Sequence, residues 1–373
     1  MPAPAASAAA SVEGDASRRG IRRGPRRGSG PRRGSGIAHG AGMPWASTVA
    51  ALVGLVALVL CAAASLAFGS RDVSLGEVVG AFVGSEPHSF AELAVRERVP
   101  RTVFALLAGG ALGVSGALMQ AVTRNPLADP GILGVNTGAS LFVVAGLAFF
   151  GINQLGQYVW LALLGAFLTA VFVYAVSSFG RGGSTPVKLA LAGAATTAAF
   201  SSLISALLLP RIDVMNVFRF WQVGSVGGVT WTSLLAILPF VLVGLGLGLA
   251  STPALNALAL GDEVAKGLGV RTGWLRLVAA VAGVLLCGAV TAVAGPIGFV
   301  GLMVPHAVRL LTGPDQRLVA LLSALYGGVL LTAADVAGRV VGRPGELEVG
   351  IVTVVLGAPV LIAIVRAYKV RSL

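Results

Sequence analysis

Few residues in this 373-residue chain could do chemistry, and their spacing argues against making or breaking bonds. The three histidines, His39, His88 and His306, lie far apart in the sequence, and nothing around them has the arrangement of a catalytic triad. Cys61 and Cys287 both sit inside apolar runs, where a thiol behaves as a small hydrophobe, and their spacing fits neither a metal site nor a redox pair. No Gly-x-x-x-x-Gly-Lys-Ser/Thr run is present to cradle a nucleotide. The expectation is a chain that is not an enzyme and that carries no metal and no cofactor of its own.

What remains is charge placed at the edges of apolar runs. Arg98 and Arg101 stand three apart at a helix start, so they share a face. Cations there run against the helix dipole and invite an acidic partner, or else snorkel to lipid headgroups. A second pattern runs from Leu260 to Gly269. Asp262 suits a helix N-cap, Gly269 suits a helix stop, and Leu260, Val264 and Leu268 recur every four residues. Such an apolar stripe needs a cover, which could be the chain's own helix ends or a separate subunit. His306 follows Pro305 inside an apolar run; it is either a functional polar group at membrane depth or a satisfied histidine at a kink.

The elements that must position these residues follow from composition. The chain is 56% hydrophobic and 11% charged, with a mean hydropathy of +0.88, whereas soluble domains carry roughly 25% charge. Its 52 glycines suit helices that approach closely in lipid. Splitting the sequence at polar, Gly and Pro punctuation predicts about ten transmembrane helices, at 45–68, 100–122, 132–151, 156–179, 187–209, 231–250, 272–294, 296–312, 317–339 and 348–367. The fold class is an all-α membrane protein. The formal charge of +12 is not a nucleic-acid footprint, because eight arginines are confined to residues 1–44 among Gly, Ser, Pro and Ala. That segment reads as a disordered cytoplasmic tail ahead of a permease domain at 45–373; a twin-arginine export signal is the competing reading. Ten spans put both termini in the cytoplasm. That topology places 19 of the 27 Lys and Arg inside and nine of the 15 acids outside, in keeping with the positive-inside bias.

Several stretches taken in order resemble the FecCD-type permeases, which import ferric siderophores, haem and vitamin B12. They include Arg98-Val-Pro-Arg101-Thr, Ser115-Gly-Ala-Leu-Met-Gln120 and Arg124-Asn-Pro-Leu-Ala-Asp-Pro130-Gly-Ile-Leu-Gly134. Further on come Leu189-Ala-Leu-Ala-Gly193, Trp221-Gln-Val-Gly-Ser225, the 255–269 segment, Gly295-Pro-Ile-Gly-Phe-Val-Gly-Leu-Met-Val-Pro-His306, Asp315-Gln-Arg317, Ala334-Asp335 and Gly350-Ile-Val-Thr. The resemblance covers about 45–370 and implies a bundle like the vitamin B12 permease, in a bacterial plasma membrane. It implies a second permease subunit, identical or not, two ATP-binding cassette ATPases that spend the ATP, and an extracytoplasmic substrate-binding protein. Nucleic acid is not an expected partner; lipid is.

By the same resemblance, Arg98, Arg101 and Arg339 would dock the binding protein. A hairpin at about 254–270 would couple to the ATPase through Gly261, Asp262, Glu263, Ala265, Leu268 and Gly269. Gln120, Asn125, Pro126 and His306 belong to the shared motifs without an assigned role. The expected function is alternating-access import of a metal chelate, a ferric siderophore above haem or cobalamin. The rival is an ion-coupled secondary transporter, for which Asp335 and His306 are the intramembrane candidates. Gln316, Ala320 and Glu348 depart from the family pattern, and which chelate is carried is not written in these motifs.

Overall fold

The computed structural model describes residues 44–69, 76–77, 80–81, 90–152, 155–179 and 185–371. The expected tail at 1–44 lies outside them except for Pro44. Among the described residues the chain is helical throughout, with no strand. The helices are α1 (Pro44–Ala67), α2 (Phe90–Thr123), α3 (Val135–Phe150), α4 (Leu155–Ser178), α5 (Pro186–Leu208), α6 (Ile212–Val223), α7 (Trp231–Ala259), α8 (Asp262–Gly267), α9 (Thr272–Ala294), α10 (Val300–Thr312), α11 (Gln316–Val341) and α12 (Val349–Arg371). A 3-10 turn at Pro130–Leu133 leads into α3.

Each of the ten expected spans coincides with a helix, α8 falls where a short helix was expected before Gly269, and α6 is the addition. Seven helices (α1, α2, α4, α5, α7, α9 and α11) are long and apolar enough to cross a bilayer, while α3, α10 and the described part of α12 are shorter. The 13 residues of α10 rise only about 20 Å, against roughly 30 Å of hydrocarbon. The preceding residues 296–299, expected to be helical, are not. Their backbone is tolerable at depth because protein covers it: Ile297 is buried, and Gly295 stands over the end of α6.

Local chemistry sets the boundaries. Thr185 caps α5 with Pro186 in the first helical position, and Thr230 caps α7 by accepting from Ser233 N at 3.3 Å. Asp315 caps α11, accepting from Arg317 N at 2.9 Å. Helix α2 is central, with 83% of its apolar window buried, whereas α1 has 11% buried and lies at the periphery. Glycines permit this packing. A Cβ on Gly109 would collide with the Gly327 carbonyl of α11, and one on Gly116 with the Gly301 carbonyl of α10.

On the outer side the ends of α6, α9 and α12 meet in one junction. Ser225 N donates to Ala294 O at 2.7 Å, and Gly350 N donates to Gly224 O at 2.9 Å. A side chain at Gly224, Gly295 or Gly350 would drive into the carbonyl of Pro296, Trp221 or Val223 respectively. The Trp221–Ser225, Gly295 and Gly350 motifs are thus one structural feature.

Candidate functional site

Two clusters of charge lie at opposite ends of the bundle. The outer one forms at the outer ends of α2 and α11; because α2 begins at Phe90, Arg98 and Arg101 lie within the helix rather than at its start as expected. Arg101 sends Nη2 to Asp335 Oδ1 at 2.7 Å and Nη1 to Glu346 Oε2 at 2.8 Å. Arg339, one turn beyond Asp335 on α11, is 2.8 Å from Asp335 Oδ2. That contact is one of charge, because the geometry leaves this oxygen and Arg339 Nε without hydrogen-bond partners. Arg339 donates instead to Ser65 O and Phe68 O, both at 3.0 Å, and to Ser65 Oγ at 2.7 Å. Arg98 donates to Leu66 O at 3.0 Å and Ala67 O at 3.2 Å.

These carbonyls belong to the last turn of α1, where a helix leaves its acceptors unsatisfied. Arg98 and Arg339 therefore cap α1 and hold it against the bundle. Arg339 is 1% exposed, and its guanidinium lies at the floor of the outer mouth. The structure brings Arg98, Arg101 and Arg339 together, and all three line the outer mouth, with Arg101 bridged to the exposed Glu346. A cavity of about 640 Å³ opens there between α2 and α7, lined by Arg96, Glu97, Arg101, Trp231 and Glu346 among others. Asp335, offered above as an ion-coupling group, is 2% exposed and engaged by two arginines.

The inner cluster is built around the turn that ends α2. Arg124 takes a left-handed backbone, φ 52°, uncommon for a residue with a Cβ. Asn125 Oδ1 then accepts from Leu127 N at 3.0 Å, closing the turn over Pro126. The geometry aims the Arg124 guanidinium at Leu258 O and at Asp262 Oδ1, both 2.5 Å away. From the other side Arg276 of α9 reaches Asp262 at 2.9 and 3.0 Å. Asp262 is thus clamped between two arginines.

This corrects the reading of Asp262 as an N-cap. The cap of α8 is Gly261, at φ 121°, and Asp262 is the first helical residue. Two guanidiniums are stronger partners for a carboxylate than one backbone N–H. Gly269, at φ 82°, ends the helix as expected. Ala265 is fully buried against the bundle, while Leu260, Val264 and Leu268 are 67%, 48% and 64% exposed. Among the described residues, the chain's own helix ends leave this apolar stripe uncovered. Glu263, also expected at this contact, shares the first turn of α8 with Asp262 and is exposed.

Of the remaining motif residues, Gln120 is buried and ties α2 to α10, donating to Gly301 O at 3.2 Å and accepting from Arg309. His306 is half-buried on α10, one turn before Arg309. Sequence reasoning missed Arg276, Arg309 and Asn256. Asn256 closes the inner end of α7 on α11, donating to Asp315 Oδ1 at 2.8 Å and accepting from Gln316 N at 2.8 Å. The departure at Gln316 is thereby a buried helix start, and Ala320 is buried in the same helix. Glu348 begins α12 through its carbonyl, which accepts from Ile351 N at 3.0 Å. In the cytoplasmic connection, burial pushes the Asp129 carboxyl up, against the lowering effect of the Gly131 N–H that it accepts at 2.8 Å.

Comparison with known proteins bears on this architecture. The model of the FecCD transport family matches residues 56–367. The ferric enterobactin transport system permease FepD of Escherichia coli is 42% identical over 312 residues, covering 84% of this chain and 93% of its own length. The iron(3+)-hydroxamate import system permease FhuB of Bacillus subtilis is 40% identical over 324 residues, with 86% and 84% covered. The cobalamin import system permease BtuC of Halobacterium salinarum is 40% identical over 280 residues, with 74% of each covered. A solved metal-chelate type ABC transporter, in an inward-facing conformation, superposes with a TM-score of 0.74 at 28% identity, covering 86% of this chain and 99% of that one.

Proposed function

The chain belongs to the FecCD transport family, and from that premise we propose that it is the permease subunit of an ATP-binding cassette importer for a ferric siderophore in a bacterial plasma membrane. The observation that carries the coupling half of this reading is the exposed group of Val264 on α8 and of Leu260 and Leu268 at its two flanks, with α8 clamped at Asp262 by Arg124 and Arg276. A rigidly held helix with an uncovered apolar face at the cytoplasmic end suits an ATPase groove. Gly261 and Gly269 supply the two bends that project it.

At the outer mouth a binding protein meets Arg101 and Glu346 directly, while Arg98 and Arg339 fix the end of α1 beneath them. Two permease chains and two ATPases complete the importer, and the chelate crosses by alternating access without bond chemistry in this chain. The siderophore assignment is supported by relatives named for enterobactin and hydroxamate transport. Cobalamin is the second reading, favoured by a relative of nearly equal identity.

The test is uptake into proteoliposomes holding the importer, its binding protein and ATP, with a ferric siderophore, haem and cobalamin compared in parallel. ATP-dependent accumulation of the siderophore alone is the expected result. Accumulation that persists without nucleotide and collapses with the proton gradient would replace this reading by a secondary transporter.

A further inference from the structure

Between α2, α4, α5 and α9 lies a second cavity, of about 460 Å³, which shares only Arg276 with the coupling proposal and nothing with the docking one. Its deep walls are apolar, with Met119, Phe167, Val171 and Val284 among them, and its polar lining, Thr123, Asp129, Tyr174 and Arg276, includes one acid and one base. Phe167 and Val171 are each 50% exposed, so the cavity opens sideways through α4. All four helices have their cytoplasmic ends at the polar side, since α2 and α4 finish there and α5 and α9 begin there. From Arg276 to Val284 is eight residues of α9, about 12 Å of depth along the helix. The shape is a slot that runs from the inner headgroup level into the hydrocarbon.

The charges at the mouth are unusual in what they leave free. Arg276 turns Nη2 to Asp262, but its Nε–H is buried and has no hydrogen-bond partner. A buried donor without a partner is costly to keep, so a ligand acceptor there is favourable. Asp129 accepts from Gly131 N through Oδ1 and lines the same opening as a carboxylate without an ion pair among those described. One donor and one acid at the mouth of an apolar slot are complementary to a headgroup that carries both an anion and an N–H cation.

We infer that an inner-leaflet phospholipid with a phosphate and a primary ammonium, of the phosphatidylethanolamine type, seats an acyl chain in this cavity, with its phosphate on Arg276 and its ammonium on Asp129. Because Arg276 also clamps α8, the lipid shares a side chain with the coupling helix. The inference does not depend on which chelate is carried.

The experiment is native mass spectrometry of the purified importer after exchange into mixed micelles containing equal phosphatidylethanolamine, phosphatidylglycerol and phosphatidylcholine. The wild type is expected to retain one phosphatidylethanolamine per permease chain, at least about tenfold over the other two, equivalent to about 1.4 kcal/mol. Ala280→Phe, which fills the slot, is expected to abolish retention. Asp129→Asn keeps an oxygen for the Gly131 N–H and is expected to retain lipid while losing the preference over phosphatidylglycerol. Equal retention of all three lipids by the wild type, detergent alone in the slot, or unchanged retention in Ala280→Phe with intact assembly would each overturn the proposal.

Discussion

The two charged ends of this bundle are wired in opposite ways. At the outer end Arg98 and Arg339 are buried and tie to α1, Asp335 is held between Arg101 and Arg339, and Arg101 reaches on to the exposed Glu346. At the inner end the charges again hold structure, with Asp262 between Arg124 and Arg276, but the helix they hold turns three large apolar side chains away from the bundle. The outer surface thus offers a few charges on a fixed base, and the inner surface offers hydrophobic contact on a fixed lever. Charge complementarity tunes encounter and register more than affinity, which suits a partner that must come and go. Apolar burial suits a partner that must transmit force.

The comparison can be broken most decisively at Asp335. Asp335→Ala leaves Arg101 and Arg339 without their shared counter-charge in a buried site, and loss of one member of a buried ion pair costs about 3–5 kcal/mol. Thermal unfolding of the purified protein should register this as a large drop, accompanied by poor membrane yield. A wild-type melting profile would show that the outer network is not what holds α1 in place. Next in size is the inner stripe. Val264→Asp together with Leu268→Asp touches only exposed positions, so stability should stay within about 0.5 kcal/mol. ATP-driven uptake should nevertheless fall at least about tenfold if hydrophobic contacts of hot-spot size are lost. Equal uptake in this double variant would mean that the stripe has no partner. The smallest effect is expected at the rim: Glu346→Gln removes a half-exposed ion pair worth about 0.2–1 kcal/mol. Its signature is a changed salt dependence of binding-protein association with little change in melting temperature.

The spans were legible because each is a run of roughly the length a bilayer requires, and length and hydropathy are local properties. The outer arginines were legible as residues but not as a network. Asp335 and Glu346 stand 234 and 245 positions from Arg101, and nothing local in Arg98-Val-Pro-Arg101 says which acid will meet which base. The signal available was that Asp335 and Glu346 fall on the same membrane face by topology. Helix α6 was missed because Asp213 and Arg219 interrupt its apolar pattern, leaving only Val214 and Phe218 buried. Asp262 was misread because a favourable capping residue was judged by type alone, whereas the Arg124-Asn125-Pro126 turn and Arg276 decide where its carboxylate goes. The exposure of the stripe at Leu260, Val264 and Leu268 could not be deduced from its periodicity, which describes a face without saying what covers it.

The outer junction of Gly224, Gly295 and Gly350 has an evolutionary consequence. Each of the three hydrogens that a glycine presents there faces a carbonyl oxygen of a neighbouring segment, so any single-nucleotide change that adds a side chain pries apart helices from three different regions of the gene. No second substitution nearby restores the fit, because the obstacle is main chain. The crossing of these three segments is therefore fixed by backbone approach rather than by side-chain fit. A saturation-mutagenesis library should show these three codons as the most intolerant on the outer face.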